Sequence, residues 1–174
     1  MAAQLPKPII DGKERSFTIS NLIEGTADDP TIPSERRLLN LILPVWQRDA
    51  VWTESQQVSY IEGIFLGLGT GYYVKNGSDY ESDGTCRHMS GWLIDGQQRI
   101  TSIARFINDE ITVFESIRFS QLSLGDKRRR FMNVNFPCFE LKYQGDEEIL
   151  KEIYYRLNFS GTHHTQADLA RLEA

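Results

Sequence analysis

Apolar positions fall into two rhythms along the chain, and each change of rhythm marks an element. Val58, Ile61, Ile64, Phe65 and Leu68 recur at helical spacing behind the capping box Thr53/Gln56. Residues 54–67 are therefore predicted to form an amphipathic helix, stopped by Gly67, Gly69 and Gly71. Ile100, Ile103, Ala104 and Ile107 give a second helix with one apolar stripe. Ser123 and Asp126 box the start of a third, running through Phe131. Ile149, Ile153, Tyr154 and Leu157 define a fourth over 146–157, ended by Gly161. Thr165 and Asp168 are positioned to cap a last one. Short apolar or β-branched runs predict strands at 17–20, 37–44, 71–75, 92–94, 111–119 and 136–143. Ser20 is placed to N-cap a short turn of helix. Residues 26–36, with two prolines, and 76–91, rich in Gly and Ser, read as polar connections. Strands and helices alternate irregularly, which predicts an α+β domain with a small mixed sheet. Residues 1–16 read as an N-terminal extension and 17–174 as one domain.

One junction breaks the pattern. In "WLIDGQQRITSI", a buried-strand run meets a helix start through Asp95, Gly96, Gln97, Gln98 and Arg99. A turn needs Asp-Gly; it does not need the three residues that follow. Free backbone N–H groups at a helix N-terminus favour an anion. Gly96 admits close approach to the backbone, and Arg99 offers a planar fork for phosphate or carboxylate. Gln97 and Gln98 can each donate and accept. Asp95 can hold Mg²⁺ or accept a proton. The plainer reading, an Asp N-cap beside a surface Arg, stands next to this one.

Two further clusters interrupt apolar surroundings. In "LPVWQRDAVW", Gln47 and Arg48 lie between Trp46 and Trp52, which suits either core with a cation–π contact or a pocket where Arg48 meets an anion. In "YRLNFSGTHHT", Arg156 and Asn158 sit at a helix end before His163 and His164. Adjacent histidines diverge on regular structure, and Cys86 with His88 completes no zinc spacing, so no metal site is expected from these groups.

Length and composition narrow the rest. The 174 residues suffice for one domain with a real core. A net charge of −5 opposes general binding to duplex phosphates. The dense basic run "KRRR", Lys127 to Arg130, reads as either a solvated helix face or an anion patch. Two cysteines make no disulfide framework, and neither a secretory leader nor a membrane-length apolar run is evident. A cytoplasmic, reducing setting without membrane contact is expected.

The three clusters, in this order, resemble the N-terminal domain of GmrSD-type restriction enzymes. That family carries I/L-P-x-x-Q-R-x-x-x-W, then I-D-G-Q-Q-R ahead of an amphipathic helix, then R-I-N-x-G-T. The likeness extends over about 17–169. It implies a ParB/sulfiredoxin-like compact mixed sheet with flanking helices, here as a stand-alone domain. It also implies a bound nucleoside triphosphate, hydrolysed with Mg²⁺, in DNA restriction or phage–host conflict. Carried over by position, Asp95, Gln97, Gln98 and Arg99 would be catalytic, with Asp95 on the metal. Gln47, Arg48, Gly96, Arg99, Arg156 and Asn158 would hold the nucleotide. A non-catalytic nucleotide-sensing or DNA- or protein-binding module, working with a larger restriction or nuclease subunit, is the alternative. Longer members carry an HNH-type nuclease domain. The only histidines here are His88, His163 and His164, so HNH cleavage is not expected.

Overall fold

The structure, a computed structural model, describes residues 5–24 and 32–159. Four strands form one mixed sheet: β1 (Gly12–Arg15), β4 (Tyr73–Lys75), β5 (Leu93–Asp95) and β6 (Cys138–Leu141), in the order β1-β6-β4-β5. β6 runs antiparallel to β1 and parallel to β4, and β4 runs antiparallel to β5. A separate two-stranded ladder joins β2 (Arg37–Leu38) to β3 (Leu41–Ile42). Five α-helices accompany the strands: α1 (Ser20–Ile23), α2 (Glu54–Phe65), α3 (Gln97–Ile107), α4 (Leu124–Lys127) and α5 (Glu147–Phe159). The domain is α+β.

Both faces of the sheet are covered, because side chains alternate along its central strands. Tyr73 and Leu93 point into one core with Ile61, Ile100, Ile103 and Phe106 of α2 and α3. Their neighbours Val74 and Ile94 point the other way, onto Leu150, Ile153 and Tyr154 of α5. Leu150 takes the buried place expected of Ile149, which is partly exposed. The α2 capping box forms as its sequence requires, Thr53 accepting from Gln56 N–H and Gln56 from Thr53 N–H.

Several expected elements take other forms. The run 37–44 is not one strand. Its backbone reverses at Leu39 (φ 55°), where Asn40 donates to the carbonyls of Leu22 and Asn21 and so docks the turn on α1. The run 111–119 makes only the bridge Val113–Ile117, around left-handed Phe114 and Glu115. Glu62 accepts the Phe114 N–H at 2.6 Å and holds that reversal. In the run 17–20 only Thr18 pairs, with Asn135, and Ser20 is already inside α1, whose cap is Ile19. Beyond α4 the chain widens into a π-turn, Arg128–Met132, which buries Phe131. β1 falls in the stretch read as an extension; "GKER" has no apolar alternation to betray a strand. The helix expected after Thr165 lies outside the described residues.

Candidate functional site

β5 hands the chain to α3 through a single residue. Gly96 sits at φ 107°, ψ 3° and is the N-cap of α3, with no side chain capping the helix. Asp95 is therefore not the cap that the plainer reading required. A Cβ at position 96 would lie 2.6 Å from Tyr73 Cβ, so β4 approaches the turn too closely for any other residue. The first-turn N–H groups of an uncapped helix carry the positive end of its dipole.

These first-turn residues line a cavity of about 170 Å³. Its wall combines Asp95, Gly96, Gln97, Gln98 and Arg99 with Gln47, Arg48 and Trp52 from the second cluster and Tyr154 and Asn158 from α5. Eight of the nine candidate residues meet here. Arg156 does not line this cavity. Tyr154 and Asn158 share one helix face at i,i+4, and Asn158 donates back to the Tyr154 carbonyl. Arg156, midway between them, points elsewhere and pairs with Glu152 at 2.6 Å. His163 and His164 lie outside the described residues.

Gln98 holds two of the three segments together. Its Oε1 accepts both the Val51 N–H (2.9 Å) and the Trp52 N–H (3.0 Å). Gln57 Nε2 donates to the Trp52 carbonyl, and Arg105 of α3 donates to Gln57 Oε1. The peptide group after Trp46-Gln47-Arg48 is thus clamped on α2 and α3. The carbonyl of Gln98 is thus occupied by backbone N–H groups, which leaves its amide Nε2 as the group it can offer the cavity. On the α5 side, Trp46 packs edge-on against Tyr154 at 5.2 Å and against Trp92 at 6.3 Å. Trp46 is therefore core, whereas Trp52 is cavity wall and stacks edge-on with Tyr60.

Charge in the cavity centres on one ion pair. Arg99 Nη2 donates to Asp95 Oδ2 at 3.0 Å, with both side chains about one quarter exposed. Arg99 lies along Gly71 and near the Tyr72 ring, and its Nε is buried without a partner. Gln47 is 7% exposed, and its Oε1 is likewise buried without a partner. Tyr60 nearby donates to the Thr70 carbonyl; burial raises its pKa above the ordinary range, against the opposing pull of Arg99, so it stays a neutral phenol. Asp95 is the single carboxylate of the lining, and no group of three His, Cys, Asp or Glu side chains converges among the described residues. A lone carboxylate is a sparse donor set for Mg²⁺, and Asp95 would be the residue to hold it.

The fold and cavity define a small α+β domain with an uncapped helix N-terminus and an arginine–carboxylate pair at one opening. The chain belongs to the family described as the GmrSD restriction endonuclease, N-terminal domain, whose model matches residues 31–132. That match contains Gln47, Arg48 and Asp95 to Arg99 and stops short of α5. Membership associates the chain with restriction systems. No curated protein and no solved structure matches it. No helix among the described residues is long and apolar enough to cross a membrane.

Of the two readings open for the tryptophans, Trp46 takes the core one and Trp52 the pocket one. Tyr154 carries the sequence signal of a core residue only, and it is both core and cavity wall.

Proposed function

We propose that the cavity binds the phosphate end of a nucleoside triphosphate and that the domain hydrolyses it in the service of a restriction system. The observation that carries this reading is the uncapped start of α3 beside Arg99, with Arg48 on the same cavity wall. The cavity is below the roughly 300–1,000 Å³ that encloses a whole small ligand. It suits a phosphate chain with the nucleoside outside. Arg48 and Arg99 supply charge for the phosphates, and Gln47, Gln97 and Asn158 supply polar contacts. Asp95 would hold Mg²⁺, which when bound neutralises phosphate charge. With the carbonyl of Gln98 committed to the backbone, Gln97 and Asp95 are the residues left to accept from or deprotonate a water.

One observation favours a second reading, binding without turnover. The sole carboxylate of the lining is already held by Arg99, and one of its three glutamines, Gln98, is structural. In that case the nucleotide is a signal passed to a larger restriction subunit.

Calorimetry with a panel of nucleoside triphosphates and Mg²⁺, followed by a phosphate-release assay, tests both. Arg99→Ala is expected to weaken binding about 10- to 100-fold, the worth of a charged hydrogen bond of about 1.5–3 kcal/mol. Asp95→Ala is expected to abolish release while leaving the fold intact. Binding that ignores Arg99 would sink the phosphate reading, and binding without release in the unmodified protein would select the sensor.

A further inference from the structure

Away from the cavity, the "KRRR" run stands out once its surroundings are visible. Arg128, Arg129 and Arg130 are consecutive and all exposed, while the next residue, Phe131, is fully buried. The π-turn makes this possible. It places more residues in a turn than the 3.6 of an α-helix, so three successive side chains sweep about half the circumference before Phe131 turns inward. Lys127 and Arg118 extend the patch around Asp109. The Asp109 carboxyl is held below its ordinary pKa chiefly by hydrogen bonds from Ser120, with smaller contributions from Arg118 and Lys127.

In this acidic chain the patch gathers several cations that form no salt bridge. Among the described residues Arg15, Lys75, Arg87, Arg99, Arg105, Lys142, Lys151 and Arg156 all form salt bridges. None of Arg118, Lys127, Arg128, Arg129 and Arg130 does. Arg130 is used structurally, donating to the Phe65 carbonyl at the end of α2, and Lys127 lies over the Phe119 ring. Arg128 and Arg129 have no such task. The carboxylates of Asp126 and Glu62 accept from Ser123 and from Phe114 N–H and form no salt bridge with these arginines.

We propose that Arg118, Lys127, Arg128 and Arg129 form a contact surface for the phosphate backbone of a nucleic-acid duplex, read without regard to sequence. Planar guanidinium forks match phosphate oxygens two at a time. A duplex presents charges at a regular, close spacing, which a row of adjacent arginines can meet without deep shape complementarity. An acidic protein partner would instead need a buried apolar centre within the contact; here the exposed apolar residues Leu124, Phe114 and Ile117 lie beside the four cations and not between Arg128 and Arg129.

Fluorescence anisotropy of a short labelled DNA duplex with the full chain, titrated from about 50 to 300 mM salt, tests this. Three to four phosphates neutralised give a slope of log K against log salt of about −3 to −4. Arg128→Gln/Arg129→Gln should bring that slope about 2 closer to zero and weaken binding at least tenfold at low salt. Its melting temperature should not change, since both side chains are exposed. Arg99→Ala should leave duplex binding as it is, so failure of this surface and failure of the nucleotide cavity are distinguishable. No duplex binding at 50 mM salt, or an unchanged slope in the double variant, overturns the proposal.

Discussion

Gly96→Ala is the most direct test of how the site is built. An L-residue at positive φ costs about 1–2 kcal/mol. The added methyl would meet Tyr73 Cβ at 2.6 Å and Cα at 3.2 Å, on a strand paired on both sides and unable to retreat. Overpacking of that kind costs about 1–3 kcal/mol. Restricting the unfolded chain returns about 0.4–1 kcal/mol. The net loss is about 2–4 kcal/mol, a large part of a total of about 5–15. For a chain of this size that lowers the melting temperature by about 4–16 °C. Gly67→Ala is the matched control: its φ is 77°, yet a Cβ there meets nothing within 4 Å. It has the backbone term without the clash, so its net loss is about 1 kcal/mol or less. Thermal unfolding followed by circular dichroism reads both. If Gly96→Ala melts within about 2 °C of Gly67→Ala, the close approach of β4 to the β5–α3 turn does not constrain this position, and the reasoning is wrong.

Two further predictions concern the scaffold. Gln98→Ala removes two hydrogen bonds and should lower stability by about 1–3 kcal/mol in denaturant unfolding, whereas Gln98→Glu keeps the acceptor and should lose less than half as much; equal losses would remove Gln98 as the clamp on the 51–52 peptide. Glu140 is pushed up by burial but pulled further down by its hydrogen bond from Arg15 and by Lys75, so its folded pKa is below the ordinary value. A depressed carboxyl contributes stability that is present above its unfolded pKa of about 4.3 and is lost as pH falls through the lower folded value. Glu140→Gln should therefore flatten the fall of melting temperature below about pH 4.5, and parallel curves would contradict this.

What was legible in the chain depended on range. The helices at 54–67 and 97–107 were readable because cap and stripe lie within a few residues of each other. The strands at 37–44 and 111–119 were misread because what decides them is distant in sequence: Leu22 and Asn21 fold the first back, and Glu62 the second. β1 was invisible because an exposed edge strand needs no apolar alternation. In the site, the positions of Gln47, Arg48 and the 95–99 turn followed from motif and order. The clamp by Gln98 did not, because a glutamine facing a water and one facing two backbone N–H groups look alike in sequence. Arg156 enters with Asn158 through the motif they share, although two residues along a helix is just over half a turn.

The ion pair across the turn bears on which ligand the cavity favours. A partly exposed Asp–Arg pair contributes about 0–1 kcal/mol, whereas a phosphate bound by the same guanidinium contributes about 1.5–3 kcal/mol. On the phosphate reading, the incoming anion therefore displaces Asp95 from Arg99 at little cost. Displacement leaves a free carboxylate at the mouth of an uncapped helix, beside the bound phosphate, where its charge is least tolerable unless a cation or a proton joins it. On this reading Asp95 would act as a resident anion that keeps Arg99 oriented and would gain an acceptor role only when phosphate arrives. Asp95→Asn separates these functions. It keeps the shape and removes the competing charge, so phosphate binding without Mg²⁺ should tighten while the gain from added Mg²⁺ shrinks.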